Sequence, residues 1–310
     1  MEPKKFIDFI ITQKCTYRCP YCSQSKEQCN DLNNATNETI NAFYKLLDTI
    51  DKDFEITITG GEAILHPDFN SIIQTVKEKG FKINLISNLS FNIKTYKDIF
   101  EKLGESLNRF DISLHVNQIQ NFNMALEKLE EFIQTKPQHT KMTIFIPLYL
   151  VNKEQEKKIE KILKIAQKYN INHSFQKIRF LNSYKKEQNK KFISHHKKEN
   201  TFSKLCHAGS KSAVIYENGN VYRCYSSRFA QANYLGNIKD DNFKLNDCPI
   251  ACSQAQCNCP KPKNYNQILD EKDKKTAIKN MLKNYLYLPK FIFKNKDIIK
   301  TKIAQKFSMK

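Results

Sequence analysis

The chain has 310 residues, 40% of them apolar and 27% charged, with a formal net charge of +19. That supports a sizeable core in one large domain, or a large domain with a small one. The longest apolar stretch, 142–151, contains Pro147 and is about half of the ~20 residues a membrane helix needs, which excludes a spanning segment of that kind.

The basic balance invites a nucleic-acid reading, but all except five of the 51 basic residues are lysine; the arginines are Arg18, Arg109, Arg179, Arg223 and Arg228. Selection for phosphate grip tends to recruit arginine forks as well, so nucleic acid is disfavoured as a partner. Ten cysteines fall in tight clusters in a long chain without a signal-like start. That favours metal or iron–sulfur ligation over a disulfide framework, and a cytoplasmic location.

In chain order, residues 6–12 read as a first strand, followed by Cys15-Thr-Tyr-Arg-Cys19-Pro-Tyr21-Cys22. A helix is expected over 37–50 and a second strand over 55–59, leading into Gly60-Gly61-Glu62. Strands are then expected over 82–87, 109–115, 141–148 and 173–178, with helices over 69–79, 95–103, 121–135 and 153–169. The last helix carries an apolar stripe of Ile159, Ile162, Leu163 and Ala166 amid lysine and glutamate. Strands alternating with helices predict an α/β fold, a parallel sheet of the partial (βα)6 TIM-type barrel kind. In such a sheet the active site lies beyond the carboxyl ends of the strands, where both motifs sit.

Three cysteines with gaps of three and two residues can hold three irons of a four-iron cluster, leaving the fourth open for chemistry. A zinc knuckle using Cys15, Cys19, Cys22 and Cys29 is the alternative. With Tyr21 in the aromatic place and Gly60-Gly61-Glu62 after the next strand, the chain resembles the radical S-adenosylmethionine (SAM) superfamily. The resemblance spans roughly residues 5–260. It implies a [4Fe-4S] cluster on Cys15, Cys19 and Cys22, with SAM on the open iron. Reductive cleavage of SAM then yields a 5′-deoxyadenosyl radical that abstracts hydrogen from substrate.

The resemblance also implies roles around SAM. Gly60 and Gly61 let the backbone approach its methionine end, and Glu62 accepts from its amino group. Ser87-Asn88 resembles a Thr-Asn-Gly near the ribose, with Leu89 in place of the glycine. Ser113 matches a serine near the ribose or carboxylate. His115 stands where the family usually has an acid, and is a weak catalytic candidate that faces substrate or bonds a neighbour. Asn152 falls near the adenine end.

A second cysteine group begins with Cys206 and reaches Cys224 through a hairpin signal, Asn218-Gly219, between 212–216 and 221–224. Cys248, Cys252, Cys257 and Cys259 follow. The opening resembles the auxiliary-cluster domains called SPASM and twitch, a small cysteine-rich β-hairpin and helix domain. It implies one auxiliary [4Fe-4S] cluster on Cys206, Cys224 and two of Cys252, Cys257 and Cys259, for electron transfer or substrate binding. Structural zinc is the alternative.

The expected organisation is a radical SAM barrel over 1–180, a linker or insertion over 181–204, an auxiliary-cluster domain over 205–262 and a basic helical tail over 263–310. The tail packs on the barrel or touches an anionic membrane. The expected substrate is a peptide or protein side chain, or a small metabolite such as a sugar or nucleotide sugar. The electron donor is a flavodoxin or ferredoxin. An RNA-modifying radical enzyme and a non-catalytic iron–sulfur carrier are the competing readings.

Overall fold

The structure, a computed structural model, describes residues 4–22, 33–149, 151–177, 199–200, 204–224, 233–251, 256–257 and 265–268. The chain divides into two compact units that part near residue 195.

The first unit alternates strand and helix throughout. Its elements are β1 (Phe6–Thr12), α1 (Asn37–Thr49), β2 (Glu55–Gly60), α2 (Phe69–Glu78), β3 (Lys82–Ser87), α3 (Ile93–Leu103), β4 (Leu107–Ser113), α4 (Phe122–Thr135), β5 (Thr143–Leu148), α5 (Lys153–Lys168) and β6 (Asn172–Lys177). Strands β1 to β6 lie side by side in sequence order. Every pair from β2 to β6 is parallel, as crossover helices require. The middle strands are covered on both faces: Ile56 and Ile58 are buried, and so are Thr57 and Thr59.

Local chemistry sets the helix starts. Thr36, Asn92, Asn121 and Asn152 each accept a hydrogen bond from the backbone N–H three residues on, which satisfies an otherwise orphaned donor. Helix α3 buries Tyr96, Ile99, Phe100 and Leu103, one face at helical spacing. Helix α5 buries Ile159, Ile162, Ile165 and Ala166, so Ile165 takes the place expected for Leu163.

Between β4, α3 and α4 the rings of Tyr96, Phe100, Phe110 and Phe132 pack edge to face, with centroids 5.1–5.8 Å apart. Burial of each such side chain contributes about 1.5–3 kcal/mol.

The described residues of the second unit form strands and turns. The strands are β7 (Glu199–Asn200), β8 (Lys204–Cys206), β9 (Ser212–Ile215), β10 (Asn220–Tyr222), β11 (Tyr234–Asn237), β12 (Ile250–Ala251), β13 (Gln256–Cys257) and β14 (Tyr265–Ile268). Strands β9, β10 and β11 form an antiparallel meander. Strand β8 sits between β12 and β14, and β13 pairs with β7. The expected hairpin is present, with Ile215 opposite Val221. At its turn Gly219 has φ +87°, and a Cβ there would lie 2.5 Å from Asn237 Oδ1. Within the tail read as helical, Tyr265–Ile268 is a strand. The rest of the tail, and most of the expected linker over 181–204, lie outside the described residues.

Candidate active site

Cys15 follows β1 by three residues, and Gly61 follows β2 directly. The two segments touch through backbone: Gly61 N–H donates to Thr12 O at 2.8 Å, and Glu62 N–H to Lys14 O at 2.7 Å. A Cβ on Gly60 would meet Thr12 O at 2.4 Å, and one on Gly61 would meet Lys14 O at 2.4 Å and Gln13 O at 2.6 Å. The space left by both glycines is filled by the Thr12–Lys14 backbone. Glycine at both positions lets the second motif press against the lead-in to Cys15.

Glu62 is buried, and its two oxygens differ in their surroundings. Oε2 accepts from Asn88 N–H at 2.7 Å and Ser87 Oγ at 3.2 Å. Oε1 makes no hydrogen bond among the described residues. Burial raises the Glu62 carboxyl to about 7, against the lowering effect of the Asn88, Ser87 and Ile64 donors. A buried carboxylate oxygen without a donor fits a cationic amino group.

Ser87 also meets Tyr96 Oη at 3.0 Å and accepts from Leu89 N–H at 3.1 Å. Tyr96 therefore links the aromatic core to the cradle of Glu62. It went unnoticed in the sequence because a tyrosine in an apolar helical stripe looks like packing alone. Leu89, where the family pattern has glycine, adopts φ +61° and is buried. The left-handed backbone is kept without the glycine.

The side-chain amide of Asn88 donates to Thr16 Oγ1 at 2.9 Å and to Cys15 Sγ at 3.5 Å. One asparagine thus joins Glu62 to the first cysteine. Cys15 and Cys19 are partly buried and Cys22 is exposed. Burial raises the thiols of Cys15 and Cys19, the latter to about 12; the charges of Glu62 and Cys22 add to the rise at Cys15, and those of Cys22 and Cys15 to the rise at Cys19. Three thiols that feel one another in this way suit a shared cationic cluster. Among the described residues no three His, Cys, Asp or Glu side chains converge on a single-ion site, and Cys29 lies outside them.

His115 sits two residues past the end of β4, because that strand runs over Leu107–Ser113 rather than 109–115. Its Nδ1 lies 3.4 Å from Cys19 Sγ and 2.9 Å from Tyr21 Oη, and Nε2 lies 3.0 Å from Ser113 Oγ. Burial lowers its pKa to about 4, so the ring is neutral. Tyr21 stacks on it at 14° and packs against Tyr149, while Tyr17 meets it edge-on. His115 and Ser113 are thus engaged with each other, and His115 with the cysteine trio. Asn152 is exposed, and its oxygen caps α5 in a reciprocal box with Gln155. That capping accounts for asparagine at this position.

In the second unit Cys206 and Cys224 are partly buried and Cys248 is exposed. Arg223, buried beside Cys224, donates from Nε to Ala208 O at 2.7 Å and from Nη2 to Cys206 O at 3.3 Å. It ties the two cysteine segments together. Cys252 and Cys259, and the side chain of Cys257, lie outside the described residues.

Residues 9–176 match the radical SAM superfamily. The chain belongs to that superfamily. Residues 206–246 match an iron–sulfur cluster-binding domain, SPASM. This radical SAM chain is therefore an enzyme that uses [4Fe-4S] clusters and SAM. It is 35% identical over 85 residues to an S-adenosylmethionine-dependent nucleotide dehydratase of Selenomonas ruminantium, covering 26% of this chain and 29% of that protein. It is 24% identical over 153 residues to a probable GTP 3′,8-cyclase of Thermococcus kodakarensis, covering 46% and 48%. The chain thus matches these curated relatives over less than half of their length. Among solved structures it resembles Streptococcus suis SuiB bound to S-adenosylmethionine (TM-score 0.54, 13% identity, 78% of this chain and 64% of that one). It also resembles anSMEcpe with bound AdoMet (TM-score 0.54, 13% identity, 77% and 78%). These likenesses establish the partial-barrel fold. No helix among the described residues is long and apolar enough to cross a membrane.

Proposed function

We propose that the chain cleaves SAM reductively at a cluster held by Cys15, Cys19 and Cys22, and abstracts hydrogen from a peptide or small-metabolite substrate. One observation carries the reading: Glu62 presents a buried, unbonded oxygen while Asn88 connects its other oxygen to Cys15. A cluster with SAM on its open iron supplies a 5′-deoxyadenosyl radical.

The remaining work belongs to the chain. Glu62 holds the amino end of SAM, Ser87 and Asn88 hold Glu62, and Gly60 and Gly61 fix the register between the two motifs. Tyr21, Tyr17 and His115 provide an aromatic wall that limits water around the cysteines. Ser113 orients His115. A flavodoxin or ferredoxin would supply the electron.

An auxiliary cluster on Cys206, Cys224 and two of Cys252, Cys257 and Cys259 would relay an electron or hold substrate. SuiB has also been solved with its precursor peptide, and the curated relatives are named for nucleotide chemistry, so both substrate classes have support.

The deciding assay is anaerobic. Iron-loaded protein, dithionite and SAM should give 5′-deoxyadenosine, and Cys19→Ala should abolish it. No product from the wild type, or equal product from the variant, overturns the reading. Adding deuterated peptide or sugar-nucleotide pools then identifies the class, because the abstracted deuterium appears in 5′-deoxyadenosine.

A further inference from the structure

His115 is placed to serve the metal ligand rather than the substrate. Its Nδ1 is 3.4 Å from Cys19 Sγ, and the Tyr21 hydroxyl, 2.9 Å from that same nitrogen, also hydrogen-bonds Cys19. A thiolate bound to iron carries no proton and only accepts. The contact therefore requires N–H at Nδ1. Nε2 then accepts, and the Ser113 hydroxyl at 3.0 Å is the donor that selects this tautomer. Stacking on Tyr21 holds the ring plane.

We propose that His115, oriented by Ser113 and assisted by Tyr21, donates a hydrogen bond to the Cys19 thiolate and sets the reduction potential of the cluster held by Cys15, Cys19 and Cys22. This rests on the reading of Cys19 as a ligand. Reduction places extra negative charge on the cluster and its sulfurs. A donor aimed at one of them stabilises the reduced form more than the oxidised form, and so raises the potential. Partial burial of the site strengthens the effect.

The test is an anaerobic EPR redox titration of the holoenzyme, following the signal that changes when SAM is added. His115→Phe keeps the ring stack and removes the donor. It should lower the reduced-to-oxidised ratio at a fixed potential about tenfold, ~59 mV for a one-electron couple. Tyr21→Phe should shift it in the same direction by less, and His115→Gln, which restores an N–H, should recover part of the loss. In wild type labelled with ¹⁵N-histidine, the reduced cluster should show coupling to a histidine nitrogen.

An unchanged potential in His115→Phe with full iron at this cluster, or no nitrogen coupling in the wild type, overturns the proposal. Should His115→Phe fail to assemble, Tyr21→Phe and the labelled wild type decide. A wild type with no SAM-sensitive signal would instead overturn the underlying reading of the cysteine trio.

Discussion

The backbone amide of Asn88 donates to Glu62 Oε2 at 2.7 Å while the side chain of the same asparagine reaches Cys15 Sγ. The residue that shapes the carboxylate also touches Cys15, the first thiol of the proposed cluster site. Asn88→Ala should keep the bond to Glu62 and lose the donors to Cys15 and Thr16. Leaving such partners unpaired costs about 1–3 kcal/mol, and the holoenzyme should melt several degrees lower. Asn88→Asp should be worse, because an acceptor-only carboxylate would face a thiolate. Iron content after desalting should rank wild type above Asn88→Ala, and Asn88→Asp lowest.

Glu62 gives a pH prediction. Its carboxyl is raised to about 7, above the ordinary 4.5, by burial. The neutral form is thus favoured in the fold. The stability this confers is full below about pH 4.5 and is lost as pH rises through 7. SAM needs the opposite state, since a carboxylate must accept from its ammonium group. Affinity for SAM should therefore rise up to about tenfold per pH unit below 7 and level off above it. Calorimetry should show proton release on binding near pH 6.5. Glu62→Gln should bind weakly, without this pH dependence and without proton release.

Gly61→Ala should disable the first cluster without touching a cysteine. Its Cβ would press on two backbone carbonyls, at Gln13 and Lys14, which cannot rotate away. Such overpacking costs about 1–3 kcal/mol, and relief displaces the segment that delivers Cys15. Iron per chain should fall by about four, one cubane, and 5′-deoxyadenosine formation with it. Full iron and activity in this variant would show that the contact is unimportant.

Arg223→Lys separates the two cysteine groups. Lysine keeps the charge but lacks the fork that reaches the carbonyls of Ala208 and Cys206. Loss of one charge-assisted bond costs about 1.5–3 kcal/mol. Auxiliary iron should be lost preferentially, while a single-turnover burst of 5′-deoxyadenosine persists. Loss of both iron and burst together would mean Arg223 supports the whole fold.

Much of this was legible in the sequence. The six strands and five helices of the first unit and the hairpin at Gly219 follow from period, length and turn chemistry, while Cys15, Cys19 and Cys22 stand out as candidates by their spacing and Glu62 by the Gly-Gly-Glu it closes. The start of β4 was not legible: register against β3 pairs Leu107 with Ile83, so the ladder begins two residues early and leaves His115 beyond its end. Pairing across strands sets that boundary, and a local pattern does not record it. Arg223 looked like one cation among many because its burial depends on carbonyls fifteen or more residues upstream. The glycines announced a close approach, but what approaches them is known only once Thr12–Lys14 is in place.

Tyr96 has its ring among Phe100, Phe110 and Phe132 and its hydroxyl on Ser87. Heat resistance and coenzyme affinity are consequently not independent traits in this molecule. A smaller side chain at Phe132 would loosen the same lever that steadies Glu62, the acid proposed to hold the amino end of SAM. Efforts to harden the hydrocarbon interior would retune the catalyst as well.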